Sequence, residues 1–147
     1  MTEKKVMAFG CFNILHLGHL TYLEKAKSFG GKLIVVVARD STIKKEKEKE
    51  PFFDEKARCR MVSALRMVDE TILGDEHDRY AVIRKMRPDV LVLGYDQPVS
   101  INELKEKLVE MGLEKTKIVK VEQYKDDEIY KSSKVLEKLR KCVLNEI

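Results

Sequence analysis

The chain has no tryptophan, three prolines, three cysteines and seven glycines in 147 residues, and aromatics make up only 7% of it. Cys11, Cys59 and Cys142 follow no Cys-x-x-Cys spacing, so neither a disulfide framework nor a structural zinc site is expected. No signal-peptide pattern opens the sequence, which together with the unpatterned cysteines predicts a reducing, cytoplasmic setting. No apolar run approaches the roughly 18 residues that a membrane span requires. The scarcity of aromatics, with no RRM-type signature, argues against RNA. Neither nucleic acid nor membrane is therefore expected as a partner. Few glycines and prolines beside an excess of Lys and Glu suit a thermophilic source. No internal repeat, linker or low-complexity tail interrupts the chain.

Charge and a regular alternation are what the chain does carry. Charged residues are 37% and hydrophobic ones 44%, with a net charge of +4, a composition for a globular core under a charged surface that favours an anionic ligand. The length suits one domain over residues 1–147 and is short for two. Residues 5–9 read as a strand, and 17–29 as a helix with Leu17, Leu20, Leu23, Ala26 and Phe29 at helical spacing. Residues 33–38 are a β-branched run without polar alternation, the mark of a strand covered on both faces. Residues 41–50 are densely charged, have little that can pack, and are expected to be mobile until they order over a ligand. Asp54 is placed to cap a helix running to about Arg66. Strands over 71–73, 90–93 and 117–121 follow, with helices over 80–86, 101–111 and 133–143. This is the α/β class: a Rossmann-like, doubly wound, parallel five-stranded sheet with helices on both faces. Such sheets bind ligands beyond the carboxyl ends of their strands, so the segments around residues 10–19, 39–40, 74 and 94–96 should share one rim.

The first of these segments is the most informative. In Gly10-Cys11-Phe12-Asn13-Ile14-Leu15-His16-Leu17-Gly18-His19, two histidines three apart sit where a strand hands over to a helix. They share one helical face, at a terminus whose N–H groups and partial positive charge favour an anion. Gly10 and Gly18 allow close approach of a ligand, and imidazole donors suit a phosphate whose charge shifts during reaction. The plainer alternatives, a metal site or a hydrogen-bonded core histidine, are weakened because the third histidine, His77, comes with no metal-ligand spacing. On the same rim, Asp96 follows a buried strand as Gly94-Tyr95-Asp96 and can hold a divalent cation or a ribose hydroxyl, though a turn or cap also explains it. Tyr130-Lys131-Ser132-Ser133 precedes the last helix, where a hydroxyl caps and a helix terminus binds anions. The lysines of 44–49 read either as a solvated face or as cations within reach of a triphosphate.

The residues 10–19 resemble the G-x-F-D-x-x-H-x-G-H signature of the cytidylyltransferase-like nucleotidylyltransferases (the HxGH superfamily), with Asn13 in place of the usual Asp. Within that family Ala38-Arg39-Asp40-Ser41-Thr42, Val68-Asp69 and Leu93-Gly94-Tyr95-Asp96 look most like the archaeal FAD synthases. The resemblance implies transfer of AMP from ATP to a phosphate-bearing acceptor, FMN, with release of pyrophosphate. The alternatives it leaves open are a CTP-dependent enzyme of the glycerol-3-phosphate cytidylyltransferase type and a non-catalytic nucleotide or flavin binder. It implies His16, His19, Lys47 (with Lys44 second) and Arg66 as catalytic residues. It implies nucleotide contacts from Cys11, Phe12, His16, Gly18, His19, Asp96, Tyr130, Ser132 and Ser133. Also implied are Mg²⁺ or a transition metal, carried with the triphosphate and touching Asp96, and a homodimer. The reaction needs no general base, because the attacking phosphate oxygen is already anionic; alignment and charge neutralisation are what the protein has to supply.

Overall fold

Strands alternate with helices, with two helices in succession between the second strand and the third. The computed structural model describes residues 3–122 and 132–145. In order these hold β1 (Lys5–Gly10), α1 (Leu17–Lys27), β2 (Lys32–Val37), α2 (Asp40–Lys47), α3 (Glu55–Ser63), β3 (Glu70–Leu73), α4 (Ala81–Met86), β4 (Val90–Leu93), α5 (Ile101–Glu110), β5 (Lys117–Lys120) and α6 (Ser132–Asn145). The strands form one all-parallel sheet in the order β3-β2-β1-β4-β5. The α/β, doubly wound sheet expected from the sequence is the one observed.

The unalternating run of β2 is explained by two cores. Leu33, Val35 and Val37 pack with Leu23 and Ala26 of α1 and Val62 of α3. Ile34 and Val36 turn the other way, to Ile83 of α4 and Leu104 and Leu108 of α5. A buried aliphatic side chain of this size stabilises by about 1.5–3 kcal/mol, so helices on both faces hold the strand. Gly31 makes the turn into β2 possible: its φ is 72°, and a Cβ there would sit 1.9 Å from the Lys4 carbonyl oxygen. Among the described residues no helix is long and apolar enough to cross a membrane.

One segment departs from expectation. Residues 40–47 form a helix, α2, where a mobile loop was expected. Its single apolar residue, Ile43, is buried. Asp40 lies in its first turn and Lys44, Lys45 and Lys47 in its last, both favourable to the helix dipole. One buried anchor and matched end charges accompany a helix of only eight residues. The helix stops where Glu48 takes a left-handed conformation.

The feature that shapes the functional rim is the parting of β1 from β4. β1 stays in register with β2 through all six residues, Lys5 to Gly10, whereas its pairing with β4 ends at Ala8↔Val92. Beyond that point the N–H and C=O of Phe9 face a gap. The hydroxyl of Tyr22, from α1, accepts from Phe9 N at 3.1 Å and donates to Val92 O at 2.6 Å. The Gln97 side chain donates from Nε2 to Phe9 O at 2.6 Å and accepts from Gly94 N at 3.1 Å. Two side chains thus replace a ladder rung, and the strands are held apart at the point where strand order reverses. Tyr22→Phe removes the bridging oxygen but little volume, leaving Phe9 N–H and Val92 C=O without it. Urea unfolding is expected to show a loss of about 1–3 kcal/mol with an unchanged m-value; an unmoved midpoint would mean the gap closes without the hydroxyl.

Candidate active site

β1 ends at Gly10 because the chain must double back over its own next aromatic. A Cβ on Gly10 would lie 2.8 Å from the Phe12 ring. Phe12 itself has φ 52° and is buried in the core, where its ring supports His19 from 5.3 Å. Of Phe12, then, only the backbone can face a ligand, and the ring is the floor of the site.

The two imidazoles cap the helix that carries them. His16 is the N-cap of α1, and its Nδ1 accepts from Gly18 N at 3.1 Å. His19 reaches back, its Nδ1 accepting from His16 N at 3.3 Å. This is a capping box built from histidines in place of Ser and Glu. The rings stack at 3.8 Å between centroids, 29° from parallel. A nitrogen that accepts a hydrogen bond carries no proton, so each neutral ring holds its hydrogen on Nε2. Two backbone donors expected to meet an anion directly are therefore taken by imidazoles, and the rings present N–H groups in their stead. Cooperative polarisation along N–H···Nδ1 passes the positive end of the helix outward.

Burial, the His16 ring and Lys47, in that order, push the pKa of His19 down to about 3. His19 is a neutral hydrogen-bond donor at ordinary pH and does not act as an acid. Lys47, in the last turn of α2, is close enough for its charge to act on His19. Lys44 instead pairs with Glu50 at 2.9 Å on the exposed side of α2. Asp96 stands exposed beyond β4, close enough for its charge to act on Tyr22.

Arg58 is the residue that sequence reasoning passed over. Its side chain is fully buried. It donates from Nη1 to Cys11 O at 2.7 Å, from Nη2 to Asp40 Oδ1 at 2.7 Å and from Nε to Phe53 O at 3.0 Å. The motif loop, the start of α2 and the start of α3 are thereby tied to one guanidinium. The Cys11 carbonyl is occupied by this bond. A usable signal was present: an Arg in the first turn after the Asp54 cap, on a helix running back from the carboxyl edge, must lie under that edge. Asn13 accepts from Phe52 N at 2.6 Å through Oδ1, so its carbonyl joins two segments distant in the chain.

Arg66 does not join the others. α3 ends at Ser63, and Asp69, three residues past Arg66, bonds Leu33 at the amino end of β2 through N and Oδ2. Arg66 is exposed there, a strand's length of on the order of 13–20 Å from the imidazole rim. The physical reason is direction: a helix antiparallel to the strands carries its last residues away from the site. Cys11, Phe12, His16, Gly18, His19, Lys47 and Asp96 do share the carboxyl edge. Ser133 is exposed in the first turn of α6; Tyr130 and the side chain of Ser132 lie outside the described residues. A hollow of about 320 Å³ bounded by Arg87, Asp89, Gly112 and Thr116 lies at the opposite, amino-terminal edge and brings together none of these groups.

Two outcomes are expected from this geometry. Asp40→Ala leaves a buried guanidinium without its counter-charge and should cost about 3 kcal/mol or more in chemical unfolding, whereas Arg66→Ala should leave the unfolding midpoint in place; equal effects would refute the distinction. Unfolded His19 titrates near 6.5 and folded His19 near 3, so between those values the unfolded chain binds more protons. Stability should accordingly fall as pH drops from about 6.5 toward 3. His19→Gln should flatten part of that slope, and a slope identical to the parent's would refute the neutral, half-buried imidazole.

The chain matches the cytidylyltransferase-like family over residues 7–138. It is 42% identical over 139 residues to the FAD synthase of Thermoplasma volcanium, an alignment covering 95% of this chain and 96% of that one. The FAD synthase of Methanobrevibacter ruminantium is 42% identical over 139 residues, covering 92% and 91%. Among solved structures, one described as a lipopolysaccharide core biosynthesis protein from Thermoplasma volcanium superposes with a TM-score of 0.80 at 44% identity, over 84% of this chain and 99% of that chain. Together with the histidine-capped helix at the strand-order reversal, these likenesses identify the chain as a nucleotidylyltransferase belonging to the cytidylyltransferase-like family.

Proposed function

We propose that the protein adenylylates FMN, joining the AMP of ATP to the FMN phosphate to give FAD and pyrophosphate. Near full-length likeness to FAD synthases at 42% identity supports the substrates. The observation that carries the chemistry is the stacked, Nδ1-accepting imidazole pair at the carboxyl edge of β1.

In this reading an oxygen of the FMN phosphate attacks the α-phosphorus of ATP in line. A P–O bond forms to the acceptor, the bond to the β-phosphate bridging oxygen breaks, and pyrophosphate leaves with the electron pair. His16 and His19 hold the α-phosphate by Nε2–H donation, already oriented by their own helix caps, so little reorganisation accompanies the charge shift. Lys47 adds positive charge near His19. No proton moves, in keeping with a His19 that stays neutral throughout the physiological range.

Among the described residues no group of three or more His, Cys, Asp or Glu could hold a metal ion by itself. A rim carboxylate such as Asp96, beside a phosphate site, is the kind of donor that Mg²⁺ takes when the triphosphate supplies most of its ligands. Bound that way, the cation neutralises phosphate charge; Asp96 is the protein group that would hold it. The reading takes the protein as a cytoplasmic homodimer, consistent with Leu136, Leu139, Val143 and Leu144 exposed on α6; sedimentation equilibrium measures the dimer.

Incubation with ATP, FMN and Mg²⁺ should yield FAD and pyrophosphate in equal amounts, with CTP or glycerol 3-phosphate poor replacements. Efficient cytidylyl transfer to glycerol 3-phosphate without FAD would overturn the assignment. His16→Ala and His19→Ala should each lower kcat by about 10²-fold or more, and Lys47→Ala should lower it more than Lys44→Ala. Near-native kcat in either histidine variant would remove that residue from the mechanism.

A further inference from the structure

Between α2 and α3 the chain places two phenylalanines on the rim of the site. Phe52 is 68% exposed and Phe53 36%, in a chain with five Phe, five Tyr and no Trp. Adjacent exposed aromatics at a site rim are the informative kind of exposed apolar surface. They are also fixed in place. Phe52 N donates to Asn13 Oδ1 at 2.6 Å, and Phe53 O accepts from Arg58 Nε at 3.0 Å. The pair is pinned at one end to the histidine motif and at the other to the buried guanidinium. The rings meet edge to face, centroids 4.9 Å apart at 81°, an arrangement that leaves open faces for a third planar ring.

We infer that Phe52 and Phe53 form the stacking platform for the planar tricyclic ring of the acceptor, and so select a flavin phosphate over a small polyol phosphate. This rests on the adenylylation of FMN proposed above. Both substrates have planar rings, and position distinguishes them. The nucleotide belongs in the crevice where β1 parts from β4, flanked by Gln97 and Asp96. The phenylalanines stand in the connection into α3, which packs on β3 and β2, on the side of β1 away from β4. The α-phosphate at His16 and His19 falls between the two flanks, and in-line attack brings the acceptor from the side away from the departing pyrophosphate.

Phe52 is mostly exposed, so its replacement leaves the fold intact, which circular dichroism checks. Fluorescence titration with FMN and steady-state kinetics with each substrate varied would be run on the parent, Phe52→Ala, Phe52→Leu and Phe52→Tyr. The Ala and Leu variants should raise the Kd and KM for FMN about tenfold or more, as loss of ring stacking does, with the KM for ATP unchanged; Tyr should restore the parent values. Unchanged FMN binding in Phe52→Leu, in a parent that makes FAD, overturns this inference alone. A raised KM for ATP with FMN unaffected assigns the platform to adenine and likewise overturns it. A parent that transfers only to glycerol 3-phosphate overturns the FMN reading and this inference with it.

Discussion

Phe9 is a residue whose two backbone polar groups face a neighbouring strand that has already turned away. Leaving both unpaired in a half-buried position would cost more than most single contacts contribute. The Tyr22 hydroxyl and the Gln97 amide meet that requirement, and by doing so they keep β1 and β4 from closing further. Everything at the rim follows from the resulting gap. β1 ends early on one side, the motif loop rises over the opening, and α1 starts with its dipole aimed across it. Tyr22 lies within α1 itself, so the helix that bears the histidines is fastened to the crevice those histidines overlook.

The histidine pair combines two jobs usually given to different residues. Capping a helix calls for acceptors close to the first N–H groups, and binding a phosphate calls for donors pointing away from them. An imidazole has one of each on opposite sides of a rigid ring. Two such rings, stacked, satisfy the helix start and offer N–H groups outward with the tautomer already decided. The low pKa of His19 follows from the same packing, since the ring that touches Phe12 and His16 has little water left to solvate an imidazolium.

Much of this was legible in the sequence, because the signals were local or periodic. β2 announced its two covered faces by a run of β-branched residues, and the histidine motif announced a strand-to-helix junction by its glycines. What stayed hidden depended on direction and on distant partners. Residues 41–50 looked like a loop because their charges dominate the composition, while the one buried side chain, Ile43, is a single letter. Arg66 looked plausible from its neighbours Val68 and Asp69, yet the sense of α3 carries it to the wrong edge. Nothing in the neighbourhood of Arg58 shows that Cys11, 47 residues earlier, and Asp40, 18 residues earlier, converge on it. Asn13 stood out as a departure from its family, but its partner Phe52 lies 39 residues on.

The ion pair between Arg58 and Asp40 has a consequence for the architecture as a whole. It clips together the two ends of residues 40–58, so that α2, the phenylalanine pair and the head of α3 form a self-closed cassette inserted between β2 and β3. Only a few threads, the Arg58–Cys11 and Phe52–Asn13 bonds among them, stitch it to the motif loop. Sheet, crevice and imidazoles lie on the other side of that seam. A cassette closed at its own ends can vary in its interior without disturbing the register of the strands that flank it. The exposed positions of that insert that do not face the site can thus change independently of the sheet, whereas Lys47, Phe52 and Arg58 within it remain tied to the rim.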